Sequence, residues 1–443
     1  MKISPPPELC LYSPFALSLS KGSSTGSPRT VKLLYRHLVI PLLLSSLSLS
    51  CFAYEDEWHG LIDIRLLDSN SEQSWLNDGL DKQRFDKNDS PIQLGQAILD
   101  YHAELTDTIN SHIWLNGYDR RDKGVALGEA YVKWRPIPTS AWRWQSKIGM
   151  FFPELSLENS GLGWTSDYLI SSSAINTWVG EELRTLGTEV GVHYDGARVG
   201  SAHDWRASAA AFRWNDPAGG LLTWRGWSIG DRVTGSWEQV PFPELAIFDN
   251  NGYWAGQTQG IKPFREIDNK TGYYANLAYQ YLDLVSISAM RYDNRGDPKA
   301  FVAGQWAWDT TFNHLAVRGH HQNTTLLAQY MTGQTIMGYV PFHDLIVDYR
   351  SWYVLLSQQM GAHQVNIRYD KFWLYDQDHK AADPNQEDGD GLAIGWKWNL
   401  RKDLDISTEW LRQRSDRDAR AILLGQAATR TEDLWQGRVR WWF

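Results

Sequence analysis

Apolar and polar positions alternate along most of this chain. From Ala126 to Arg135, ALGEAYVKWR, one face reads Ala126, Gly128, Ala130, Val132, Trp134. The other reads Leu127, Glu129, Tyr131, Lys133, Arg135. A strand turns successive side chains to opposite sides, so the segment has one apolar face and one that carries charge. Six residues on, WRWQSKIGMFF places Trp142, Trp144, Ile148 and Met150 against Arg143, Gln145, Lys147 and Gly149. The connector PIPTSA is short and proline-bearing, as a tight turn would be.

The same rhythm predicts strands near 58–67, 93–105, 108–118, 125–136, 141–151, 183–194, 203–214 and 271–282. It continues near 283–293, 305–319, 323–333, 348–359, 363–375, 389–400, 404–414 and 434–443, sixteen in all. Short connections (LTD at 105–107, YLDL at 281–284, LRKD at 400–403) alternate with long ones. The longest are 152–182 and 215–270. A structureless loop of the second length is unusual, so an extra hairpin inside it, giving eighteen strands, is the alternative.

Alternation alone does not separate a soluble sandwich from a membrane barrel, because either can have one apolar and one polar face. The N-terminal region does. Lys32 and Arg36 precede the apolar run Leu38–Leu49, and Cys51-Phe52-Ala53 places small residues for cleavage after Ala53. Residues 31–53 therefore read as a secretory signal peptide. A lipoprotein signal acylated at Cys51 is the rival, although Ser48 stands where Leu is expected. Residues 1–30, rich in Pro, Ser and Gly, fit neither pattern and read as a spurious extension, with the start expected at or near Val31.

The expected mature domain, 54–443, keeps all 24 tryptophans and neither cysteine. Without residues 1–53, Lys and Arg number 38 against 51 Asp and Glu, a net charge of −13, which argues against nucleic acid as a partner. No run of 18 apolar residues exists, so no helix is long enough to cross a membrane. Export, even strand number and dispersed hydrophobicity together indicate an all-β, transmembrane antiparallel barrel with periplasmic termini. The ending follows the same logic. Trp435, Val439, Trp441 and Phe443 face lipid, and Gln436, Arg438 and Arg440 face inward. Trp441 and Phe443 at the terminus resemble the signal read by outer-membrane assembly machinery.

Catalytic motifs are missing. There is no Gly-x-Ser-x-Gly elbow and no His-Glu-x-x-His, so no catalytic or metal residue and no cofactor is expected. The acidic stretch Asp376–Asp390 lacks the spacing of a calcium loop. A barrel hydrolase would need a serine and a histidine on neighbouring strands; His314 and His363, with Ser351 and Ser357, are the residues to inspect.

A sixteen-stranded barrel encloses water unless something fills it. The expected lining includes Glu129, Lys133, Arg135, Arg143, Lys147, Arg368, Arg438 and Arg440, with the four cations of strands four and five grouped as a basic wall. The loop after strand five is expected to fold inward, because Leu155, Leu157, Leu162, Trp164, Leu169, Ile170, Ile175, Trp178 and Val179 have no reason to sit in water. Its Glu154, Glu158, Asp167, Glu181 and Glu182 would then face the passage or pair with that wall.

GEAYVKWRP and WQSKIGMFFPELSLEN, within residues 125–160, resemble the bacterial porins of the phosphate-selective O/P type. The resemblance implies an outer-membrane channel for passive diffusion of small hydrophilic solutes or ions, with a homotrimer among its assemblies. The mixed lining leaves phosphate, cations and neutral solutes open as cargo. A non-channel barrel acting as adhesin or receptor, and an outer-membrane phospholipase, are the other readings.

Overall fold

The expected alternation becomes one closed sheet in the computed structural model, which describes residues 55–118, 124–339 and 343–443. The expected signal peptide, 31–53, and the expected spurious extension, 1–30, lie outside the described residues. Sixteen antiparallel strands close on themselves: β1 (Glu55–Ser69), β2 (Ile92–Thr106), β3 (Ile109–Gly117), β4 (Val125–Trp134), β5 (Trp142–Phe151), β6 (Thr185–Tyr194), β7 (His203–Arg213) and β8 (Gly272–Tyr281). The second half comprises β9 (Val285–Asp293), β10 (Asp309–His321), β11 (Thr324–Tyr339), β12 (His343–Met360), β13 (His363–Asp376), β14 (Glu387–Arg401), β15 (Leu404–Arg417) and β16 (Thr429–Trp442).

The eighteen-strand alternative does not hold. Within 214–271 the only ladder among the described residues is a two-residue pair, Val240–Pro241 with Gly260–Ile261, outside the barrel sheet. The connection expected between strands eleven and twelve is also corrected. The two strands stay paired up to Tyr339 opposite His343, because the alternation does not stop at residue 333.

Burial follows the period of two. On β13 the even positions Gln364, Asn366, Arg368, Asp370, Phe372 and Leu374 are buried inside, while Val365 and Ile367 are exposed outside. Polarity is graded along the inner face. It is polar near the short turns and apolar near the long connections, as with Phe372, Leu374, Leu345 and Val347. Two-residue turns such as Gly361–Ala362 suit the strand twist because Gly361 adopts φ 61°, open to glycine without strain.

Among the described residues, the wall thins beside β4. β4 pairs with β5 only over Ala130–Trp134, leaving its upper edge without a strand partner. Ser236, from the 214–271 connection, fills that edge. Its N–H donates to the Leu127 carbonyl at 2.9 Å, and its hydroxyl donates to the same oxygen at 3.1 Å. An open sheet edge would expose unpaired backbone groups, and this contact satisfies one of them.

Candidate functional site

The connection 152–184 crosses the barrel interior. It leaves β5 and is held on the opposite wall by inward residues of β11, β13, β14 and β15. Gln329 accepts from the Leu157 N–H at 3.3 Å. Asp370 takes the Ala174 N–H at 3.1 Å, and Glu409 takes those of Ile170 and Ser171 at 2.7 and 3.0 Å. Lys397 donates to the Asp167 carbonyl at 2.6 Å. The segment ends in α1 (Ala174–Glu182), N-capped by Ser173, whose hydroxyl accepts from the Asn176 N–H at 3.3 Å. All nine apolar side chains that predicted an inward fold are buried or half-buried.

Arg368 anchors this crossing. Its guanidinium meets Asp370 at 2.7 Å, Glu158 at 3.2 Å and the carbonyls of Ser171 and Ser172 at 2.6 and 3.0 Å, with no exposed surface. A buried ion pair repays its desolvation only when its remaining donors are satisfied, and here the loop backbone satisfies them. Arg368 and Glu158 therefore bind the loop to the wall and do not line open space.

A second layer fills the long-loop half of the interior. The 214–271 connection carries α2 (Gly220–Arg225), packed through Trp224 against Phe242, Phe248 and Trp308. Glu182 closes the start of α2, accepting from Leu221 N–H at 2.7 Å and Gly219 N–H at 3.2 Å. At the other end, Arg417 donates to the carbonyls of Thr223 and Trp224, and Lys82 to that of Arg225. Burial raises the Glu182 carboxyl to about 7 against these donors, and burial lowers Lys82 to about 7 despite Glu387 at 2.6 Å. Burial likewise lifts Asp216 to about 7.

Two expectations are corrected here. Glu181 pairs with Arg225 at 2.5 Å, and Glu182 caps α2; both are fully buried and meet neither the passage nor the basic residues of β4 and β5. The arginine that claims Glu181 lies 44 residues away on another loop, where local sequence gives no hint of it.

Open space lies toward the short turns. A cavity of about 590 Å³ is lined by Lys133, Arg135, Arg143, Arg206, Glu154 and His193. An adjoining one of about 390 Å³ shares Lys133 and Arg135 and adds Glu55, Glu57, His59, His102 and Glu104. Cations thus gather on β4 to β7 and carboxylates on β1 and β2. Arg143 pairs with Asp195, and Lys147 is buried between Glu154 at 2.8 Å and Glu189 at 3.0 Å. Glu129 accepts from the Trp114 indole at 2.9 Å and the Phe152 N–H at 2.7 Å. Asp167 is exposed and accepts from the Ser160 hydroxyl at 2.6 Å. Arg438 and Arg440 face inward but are buried, with Asp405 at 3.4 Å and Asp63 at 3.0 Å. Trp441 and Phe443 point outward, ring to ring at 5.0 Å.

Sequence reasoning missed the clamp around Asp231. This residue of the 214–271 connection joins Arg65 on β1 at 2.5 Å to Arg84 of the first loop at 2.9 Å. Burial alone would raise its carboxyl, but the two guanidinium groups hold it below the usual range. The hydrolase candidates do not assemble. His314 meets Gln329, Ser351 donates to the Lys371 carbonyl, and Ser357 accepts from Gln364.

No protein-family model matches the chain, and no curated protein sequence matches it. Solved structures do. The outer membrane channel DcaP of Acinetobacter baumannii is similar with a TM-score of 0.53 at 10% identity, covering 88% of this chain and 97% of that one. An anion-selective porin from Comamonas acidovorans is similar with a TM-score of 0.50 at 13% identity, covering 88% and 99%. At such identities the likeness is one of fold: this chain has the porin barrel. No comparison singles out the phosphate-selective O/P type.

Proposed function

We propose that the chain is an outer-membrane porin, a passive diffusion channel for small hydrophilic solutes or ions. One observation carries the reading: inside a closed barrel, a loop tethered to the far wall narrows a space lined by charged side chains. The outward aromatic and aliphatic face supports a lipid surrounding, with the short turns and both termini periplasmic. Lys133, Arg135, Arg143 and Arg206 on one side, with Glu55, Glu57 and Glu104 on the other, set a field across the vestibule that orients charged and dipolar solutes. Glu154 is the loop carboxylate that shares this cavity with them, whereas Asp167 lies by Lys397 of β14. Phosphate is one candidate solute among several. Trp441 and Phe443 serve as the assembly signal, and a homotrimer is the expected assembly.

Reconstitution of folded protein into a planar bilayer tests this, with stepwise conductance expected. Electrical silence of folded protein would overturn it. A second reading, a loop-filled barrel acting as receptor or adhesin, draws on the unexposed ion pairs of Arg65, Arg225 and Arg417 in the long-loop half. It expects silence together with a binding activity lost on deletion within 215–270.

A further inference from the structure

The hairpin β2–β3 brings three side chains of metal-binding type to one point. Asp100 and His102, two apart on β2, share its inner face, and His112 on β3 sits directly across from His102. Asp100 Oδ2 lies 2.5 Å from His112 Nε2, and Oδ1 lies 2.7 Å from His102 Nε2. The two rings stack at 4.2 Å with 11° between their planes. All three ligand atoms fall within 4.8 Å of one another.

We infer that Asp100, His102 and His112 form a binding site for a divalent late transition metal, of which Zn²⁺ is the representative. Two imidazoles and a carboxylate are the donor set such ions prefer, and a fourth position is left for water or a passing solute. Two unsatisfied atoms point the same way. Asp100 Oδ1, on a side chain only 2% exposed, accepts no aligned hydrogen bond, and His112 Nδ1 has no partner. Asp100 Oδ2 holds the His112 proton on Nε2; a metal ion would take that place, with the proton moving to the free Nδ1 or to water.

Metal bonds of about 2.0–2.2 Å place tetrahedral donors roughly 3.3 Å apart, so the cluster must open slightly to admit the ion. His102, whose side chain is half exposed, has the freedom to swing. It also borders the cavity that holds Glu55, Glu57 and Glu104, whose charge draws a dication from the water side. Lys133 and Arg135 also line that cavity, while Lys147 on the neighbouring wall is neutralised by Glu154 and Glu189.

The test is a Zn²⁺ titration of the folded, detergent-solubilised barrel at pH 7.5, read by competition with a zinc-sensitive dye. One ion per chain is expected, and His102→Gln, His112→Gln and Asp100→Asn should each weaken binding by at least about 10-fold. His320→Gln, at a distant turn, should leave it unchanged. An affinity unaltered in the His102→Gln/His112→Gln protein, or no binding above that protein's, overturns the proposal. X-ray absorption on the Zn²⁺-loaded wild-type protein gives an answer even if the variants misfold: two imidazole ligands are expected, and none refutes the site. Neither readout depends on whether the barrel conducts.

Discussion

Asp231 lies 2.5 Å from Arg65 and so fastens the longest connection of the chain to the inner face of β1. The same carboxylate holds Arg84 of the first loop at 2.9 Å, so one anion serves two buried cations from different elements. Removing one partner of a buried pair costs about 3–5 kcal/mol, because the other charge stays desolvated. Arg65 keeps Asp63 at 3.1 Å, which leaves Arg84 as the group most affected. Asp231→Ala is expected to speed amide exchange around residues 229–233 and to raise conductance. Protection equal to wild type would show that the clamp does not hold the loop.

The packing around α2 should depend on pH. Glu182 and Asp216 have folded-state values near 7, above ordinary values of 4.5 and 3.8, so the folded protein binds their protons more tightly than the unfolded chain. That stabilisation is fully present below pH 4, falls as pH rises toward 7, and is gone above it. For Glu182 the span is on the order of 3 kcal/mol. Exchange of the Leu221 and Leu222 amides, corrected for intrinsic rate, should be slower at pH 5 than at pH 8. Glu182→Gln should flatten much of that difference.

Selectivity should follow the vestibule charges. Lys133→Glu with Arg143→Glu converts part of the cationic side and is expected to shift the reversal potential in a salt gradient toward cations. The shift should shrink as ionic strength rises, because these groups border water and are screened. An unmoved potential at low salt would place the selective constriction elsewhere.

Barrel closure depends on a close approach at the terminus. The Gly60 N–H donates to the Phe443 carbonyl at 2.9 Å, and the Phe443 N–H donates back at 3.1 Å. A Cβ on Gly60 would sit 2.3 Å from the Phe443 ring. Gly60→Val should expel that ring, and deletion of Phe443 should remove the pairing. Both are expected to lower the yield of heat-resistant folded barrel on refolding, while a substitution at exposed Asp56 should not.

Nearly all of the wall was legible in advance, and the reason lies at Val365, Ile367, Arg368 and Asp370. A strand with lipid on one side and a polar interior on the other must alternate, so each of the sixteen spans can be read without its partners. Where the reading stopped short, as at 334–339, the alternation itself ran on past the expected loop. Even the pair His102 and His112 was within reach, since both stand five residues from the turn at Asp107, which places them opposite one another.

The interior obeyed a different rule. The apolar residues of 152–182 were enough to predict that the loop turns inward, because burial of apolar surface does not depend on which wall is met. Ion pairs do depend on it. Glu181 meeting Arg225, Glu158 meeting Arg368 and Asp231 meeting Arg65 are contacts across 44 to 210 positions. They exist only once the sheet has closed and set opposite strands across the lumen. By itself the sequence determined the strands, their faces and the closing aromatic terminus, because each of these is a local response to the solvent on either side. Which charges are neutralised and which remain in the open vestibule was decided by tertiary structure, since a buried ion is tolerated only beside a partner that folding brings to it.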